Sequence, residues 1–322
     1  MKVGISISNF SWPIPLTDFG PTVARIGRTA DDAGVDSLWV MDHFFQIRVT
    51  GEPTEAPITE AYATLSFLAG QTRRATLGTL VTSVSYRHPG VLLKTVTALD
   101  VLSGGRAVLG IGAGAPWNPE PAGPGTPWEA EGLGIPFPSL AERFERLEET
   151  LQIAHQMWRD DETPFRGRHY DLARPLNSPN SLQRPHPPIL LGGSGEKKTL
   201  RLVARYGDAC SLFDLPGSQF ADNIEHKLGV LRQHCAAEGR DYAEIEKTIA
   251  STFDQGEDPK AAHPKAAHPK AALPGLLAHL ADLAALGIDH VLLAPRGPWD
   301  EATLDALVSV VPAIHAIETA GR

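Results

Sequence analysis

Cysteine is scarce in this chain. Only Cys210 and Cys235 occur among 322 residues, at no paired spacing, so neither a disulfide framework nor a zinc cluster is expected. Long apolar runs are absent too, and a membrane helix needs about 18 such residues. Met1-Lys2 leads straight into Val-Gly-Ile-Ser-Ile, too short and too strand-like for a signal peptide. A cytoplasmic protein without a membrane partner is expected. Basic charge is in deficit: 29 Lys and Arg stand against 38 Asp and Glu, a net −9. Nucleic acid is therefore not the expected partner, although one local phosphate site stays open. No His-x-His lies on the first strand and no His-Glu-x-x-His occurs, so no metal is expected. A Gly-x-Ser-x-Gly elbow is missing as well.

What is present is a repeating alternation. Hydrophobic residues make up 42% and charged residues 21% of the chain, enough for a large core and ordinary solubility. Strands are predicted at 3–8, 37–43, 75–83, 106–111, 189–191, 209–213, 247–252 and 290–294. Helical spacing separates them: Val23, Ile26, Ala30 and Ala33 after Pro21, then 59–72, then a helix from Pro89. After a strong amphipathic helix carrying Leu140, Phe144, Leu147 and Leu151 come 197–206, 219–238, 273–286 and 300–318. Such alternation implies parallel strands with right-handed crossovers. Eight strands and eight helices predict one α/β domain over 1–322, a (β/α)8 TIM barrel with insertions at its C-terminal face. One insertion covers about 113–188. The other is a Pro-Lys-Ala-Ala-His repeat at about 256–274, read as a mobile loop because prolines break helices. Its His263 and His268 make a poor metal tract.

In such a barrel chemistry sits where strands end. Asp42 and His43 end the second strand, and a carboxylate beside an imidazole can orient a ligand and move a proton near neutral pH. Gly110-Ile-Gly-Ala-Gly-Ala115 fits G-x-G-x-x-A formally, but Pro116 and Pro119 forbid the helix that a dinucleotide fingerprint must open. Gly192-Gly-Ser-Gly195 lies between a strand and a helix expected near Glu196. Free amides there suit a phosphate, with Ser194 adding a hydroxyl; the alternative is a plain tight turn. Arg87 and Arg296 are candidates for an anionic substrate or a cofactor tail, and His88 for entering the helix at Pro89.

Four segments in order, Trp39-Val-Met-Asp-His43, Leu80-Val-Thr-Ser-Val-Ser-Tyr-Arg-His-Pro89, Leu99 to Gly112 and Pro188 to Gly195, resemble the bacterial luciferase-like superfamily. Within it the chain is most similar to coenzyme F420-dependent oxidoreductases of an actinobacterial branch. The resemblance implies a deazaflavin in the barrel mouth, its phosphate on Gly193, Ser194 and Gly195. It implies Asp42 as a contact of the ring or its near side chain, and a bulge with a non-proline cis peptide at Thr79-Leu80 behind it. His43 would transfer the proton, Asn118 would be a loosely aligned ring contact, and the assembly would be a homodimer. Sugar-phosphate dehydrogenases of the group carry a glutamate where this chain has Ala115 and a tryptophan where it has Ile47. A second acid would then be missing or supplied from elsewhere, with Glu120, Glu129 and Glu131 as candidates. Reduction of a C=C, C=N or C=O bond of a small organic molecule is the expected reaction. Two alternatives stand beside it: an FMN-dependent monooxygenase fed reduced flavin by a partner reductase, and a cofactor-binding barrel without catalysis.

Overall fold

A computed structural model describes residues 1–47, 52–114, 126–214, 223–253 and 269–320. β1 (Lys2–Ile7) is buried from Val3 onward, as a strand covered on both faces must be. α1 (Phe19–Asp32) turns Val23, Ile26 and Ala30 inward. β2 (Ser37–Val40) and α2 (Ala61–Ala69) follow. The third barrel strand comes in two pieces, β3 (Thr76–Thr79) and β4 (Thr82–Ser83), with the non-proline cis peptide at Leu80–Val81, one bond later than the Thr79-Leu80 position that the resemblance implied. α3 (Pro89–Ser103) and β5 (Ala107–Gly112) close the first half.

The first insertion holds α4 (Thr126–Gly132), α5 (Leu140–Trp158) and an antiparallel hairpin of β6 (Phe165–Arg166) and β7 (Asp171–Leu172). The rhythm then resumes with β8 (Ile189–Gly192), α6 (Thr199–Tyr206), β9 (Ala209–Asp214) and α7 (Ile224–Glu238). β10 (Glu246–Thr252), α8 (Pro269–Ala285), β11 (His290–Ala294) and α9 (Glu301–His315) complete it. Neighbours run β3-β2-β1-β11-β10-β9-β8-β5, each pair parallel, and β3 pairs back onto β5. The barrel is closed, as predicted. Among the described residues no helix is long and apolar enough to cross a membrane.

Two expectations shift. The strand predicted over 75–83 is interrupted, because Leu80 and Val81 leave the ladder and pack on the barrel interior with Trp39, Leu190, Ala209 and Leu292. The repeat segment is not loop throughout: α8 starts at Pro269, inside its final copy. Proline is tolerated in a first helical turn, where its missing N–H has no partner anyway. Pro274, farther in, forgoes one backbone bond. His263 and His268 lie outside the described residues.

The N-terminal end of the barrel is plugged by polar side chains. Trp39 Nε1 donates to Ser37 Oγ at 2.7 Å, Ser37 meets His290 Nε2 at 2.9 Å, and His290 Nδ1 meets Glu246 at 3.1 Å. Burial pushes the Glu246 carboxyl up, but His290 and Lys2 outweigh it and bring it to about 2.

One glycine has no substitute. A Cβ on Gly110 would stand 1.7 Å from the Thr79 carbonyl oxygen, which is backbone and cannot swing away. Gly110→Ala is expected to cost at least about 3 kcal/mol of stability, beyond ordinary overpacking. Denaturant unfolding checks this, and a loss under about 1 kcal/mol would show that β3 and β5 can part at that point.

Candidate active site at the barrel mouth

β2 stops at Val40, so Asp42 and His43 follow the strand rather than ending it. Asp42 is 1% exposed. Both its oxygens are taken by Arg87, Nη1 to Oδ2 at 2.6 Å and Nη2 to Oδ1 at 3.0 Å. Arg87 also binds Glu60, and its guanidinium lies 4.7 Å from the Tyr62 ring centre and 5.6 Å from that of Phe44. Burial works against the charge on Arg87, but the bonds from Asp42 raise its pKa still further. Arg87, expected as a candidate holder of an anion, is bonded here to Asp42 and Glu60. Asp42, the expected contact of the ring or its near side chain, is held by Arg87 through both oxygens.

His43 has a different partner. Its Nδ1 lies 2.5 Å from Oε1 of Glu129, which α4 carries. Glu129 is 1% exposed. The Phe44 and Phe45 amides donate to its Oε2 at 2.6 and 3.1 Å, and the Tyr86 hydroxyl donates to Oε1. Burial pushes the Glu129 carboxyl up; His43, Tyr86 and the Phe45 amide overcome that and hold it below the usual carboxylate range. Of the two candidate acids among the described residues, Glu129 is the one beside the imidazole. Glu131 is exposed. Glu120 lies outside the described residues, as do Ala115 and Asn118. The helix bringing Glu129 in was not expected inside a Pro- and Gly-rich stretch. Its sequence signal is Thr126-Pro127-Trp128-Glu129, with proline early and an acid three places after threonine.

Opposite strands build a shelf. Thr79 is fully buried, its hydroxyl donating to the Gly110 carbonyl at 2.8 Å. Leu80 and Val81 are half-buried. Val81 lies on glycine backbone: a Cβ at Gly192 would be 2.6 Å from its Cγ2, and one at Gly112 3.2 Å. Phe213, half-buried, ends the inward row of β9. Arg143 Nη1 donates to the carbonyls of Ala113 and Gly114 at 2.9 and 2.5 Å, pinning the chain as it leaves β5.

The glycine turn after β8 follows directly. Gly193 has φ +105°, a conformation that side chains resist. Leu200 N donates to the Gly195 carbonyl at 3.1 Å, and α6 begins at Thr199, later than the Glu196 start expected. Lys198, at its N-cap position, gives no side-chain cap. Arg296 is exposed just past β11. His88 caps α3 as expected, its Nδ1 accepting from Gly90 N at 3.3 Å. A cavity of about 140 Å³ lies beside the mouth, between Arg87, Pro136, Arg146 and Tyr170. Neither His43 nor the glycine turn lines it, so it is a side notch rather than the centre of the chemistry. Among the described residues no His, Cys, Asp and Glu cluster is arranged to hold a metal.

The family model described as luciferase-like monooxygenase matches residues 1–304. An F420-dependent glucose-6-phosphate dehydrogenase of Kineococcus radiotolerans is 32% identical over 239 residues, covering 72% of this chain and 64% of that protein. The chain thus spans a little under two thirds of that relative's length. Among solved structures, an F420-dependent secondary alcohol dehydrogenase in complex with an F420-acetone adduct superposes with a TM-score of 0.74 at 18% identity, covering 97% of this chain and 98% of that one. The coenzyme F420-dependent tetrahydromethanopterin reductase of Methanopyrus kandleri gives 0.71 at 16% identity, covering 96% and 97%. At such identities the likeness is one of fold.

Proposed function

The chain belongs to the luciferase-like monooxygenase family, and from that premise we propose that it is a coenzyme F420-dependent oxidoreductase. The observation that carries this reading is the mouth itself. A flat apolar shelf at Leu80–Val81 lies against Gly112 and Gly192, with a glycine turn after β8 and an imidazole after β2. A side chain on either glycine would fill the space Val81 occupies, so the shelf depends on bare backbone. Such a shelf suits a planar, tricyclic ring. The turn suits a phosphate on the main-chain nitrogens of Gly193, Ser194 and Gly195, as at other helix starts left uncapped.

Coenzyme F420, when bound, supplies the hydride. The chain's own residues do the rest. Leu80 and Val81 support the ring and exclude water from one face, and His43 moves the proton. The substrate is a small organic molecule, and reduction of its C=C, C=N or C=O bond is the favoured direction. The relatives named as sugar-phosphate dehydrogenases point the other way. Ile47 nevertheless stands where those enzymes are expected to carry tryptophan, and it is 5% exposed. A buried aliphatic side chain there offers no ring to a sugar. A homodimer would be formed through α2 and α3, whose outward positions include the exposed Phe67, Val91 and Leu102.

Titration of the purified protein with coenzyme F420 and, separately, with FMN tests the reading. Micromolar binding of F420 alone is expected. Tight binding of FMN with rapid oxygen consumption after reduction would transfer the chain to the flavin monooxygenases, and binding of neither would overturn both.

A further inference from the structure

We infer that Glu129 is the positioning residue for His43, and that α4 exists in the insertion to deliver it. Among the described residues the carboxylate makes four contacts, all to the site: His43 Nδ1, the amides of Phe44 and Phe45, and the Tyr86 hydroxyl. Held ionised, it can only accept hydrogen bonds. The imidazole proton on that side must therefore sit on Nδ1, which leaves Nε2 as the atom that gives or takes the substrate's proton. A carboxylate that holds one nitrogen of a histidine in this way selects the tautomer, fixes the ring plane and stabilises the cation when it forms.

The arrangement reaches beyond one bond. Glu129 ties three consecutive residues, 43 to 45, to the insertion. Gly132, one turn further along α4, leaves room for the Phe45 ring; a Cβ there would be 2.9 Å from it. A segment far from β2 in sequence thus sets the orientation of the residue that follows β2. It does so in a chain that carries Ala115 where sugar-phosphate dehydrogenases of the group are expected to carry glutamate. In a reduction, hydride adds to one atom of the substrate double bond and the Nε2 proton of cationic His43 to the other. The imidazole returns to its neutral Nδ1–H form and is recharged from solvent, while Glu129 stays a carboxylate throughout.

The turnover arm of the test rests on the F420 reading above; the spectroscopic arm does not. In the cofactor-free protein, ¹⁵N NMR of the imidazole is expected to show neutral His43 with its proton on Nδ1. Glu129→Ala should move the population to Nε2–H. Glu129→Gln, whose amide oxygen still accepts, should keep the tautomer but lose the charge. With F420 and an accepted substrate, both variants should lower kcat about 10- to 100-fold, with KM and coenzyme affinity little changed. Glu129→Asp should restore part of kcat. In a His43→Ala background, Glu129→Gln should cost nothing further, because its effect passes through the imidazole. That comparison holds even if one variant is less stable. Unchanged tautomer in Glu129→Ala, or an undiminished penalty in the His43→Ala background, would overturn the assignment. Failure to bind F420 with the tautomer shift intact would overturn the function and leave the positioning role standing.

Discussion

Replacing His43 with alanine is expected to lower F420-dependent turnover roughly 10²- to 10⁴-fold, the usual contribution of one positioned acid–base group. Coenzyme affinity should stay nearly unchanged. The reason is geometric. The side chain is 14% exposed at the mouth and, among the described residues, tethered through Nδ1, so Nε2 would be left for the reacting atom. The shelf and glycine turn, which would carry the coenzyme, do not involve it. Steady-state rates read from F420 absorbance, with a parallel fluorescence titration of binding, separate the two quantities. A variant that keeps full turnover would leave the barrel with a cofactor but without this proton path. Equal loss of binding and turnover would mean that His43 holds the ring rather than serving the substrate.

Arg87→Ala should be the most damaging change to stability near the site. It would leave Asp42, 1% exposed, as a charged group without its bidentate partner. Removing one member of a buried pair costs about 3–5 kcal/mol. The loss also takes away a cation lying over two aromatic rings, worth on the order of 1 kcal/mol more. Lysine is no remedy, because a single ammonium cannot bridge both oxygens. Pairing Asp42→Asn with Arg87→Met should recover part of the loss, since the stranded charge is gone. Denaturant unfolding of the three variants checks this. A cost under about 1 kcal/mol for Arg87→Ala would show that water or a ligand reaches Asp42 and that the pair is not the anchor drawn here.

The barrel was legible in the chain because its signals are local and repeated. Eight apolar runs alternate with helical spacing, and each run states its own strand without reference to the others. Strand ends were legible within a few residues, which is why His43 and the Gly193–Gly195 turn stand out in the sequence. What failed to show was partnership. Arg87 and Asp42 are 45 residues apart, and His43 and Glu129 are 86 apart. Nothing in either neighbourhood announces the pairing. The start of α8 at Pro269 escaped for a different reason: proline opposes a helix interior but favours a helix start, and a repeated motif does not say which copy is the start.

The sequence by itself determined the fold, the edge of the barrel that carries chemistry, and the residue types gathered there. Only the tertiary structure decided which of two adjacent ionisable residues faces the mouth. Asp42 turns toward Arg87 and pairs with its charge, while His43 turns its Nδ1 toward Glu129. The physical reason is that backbone pattern depends on neighbours a few places away, whereas a buried charge takes its partner from whatever segment closure brings within hydrogen-bond reach.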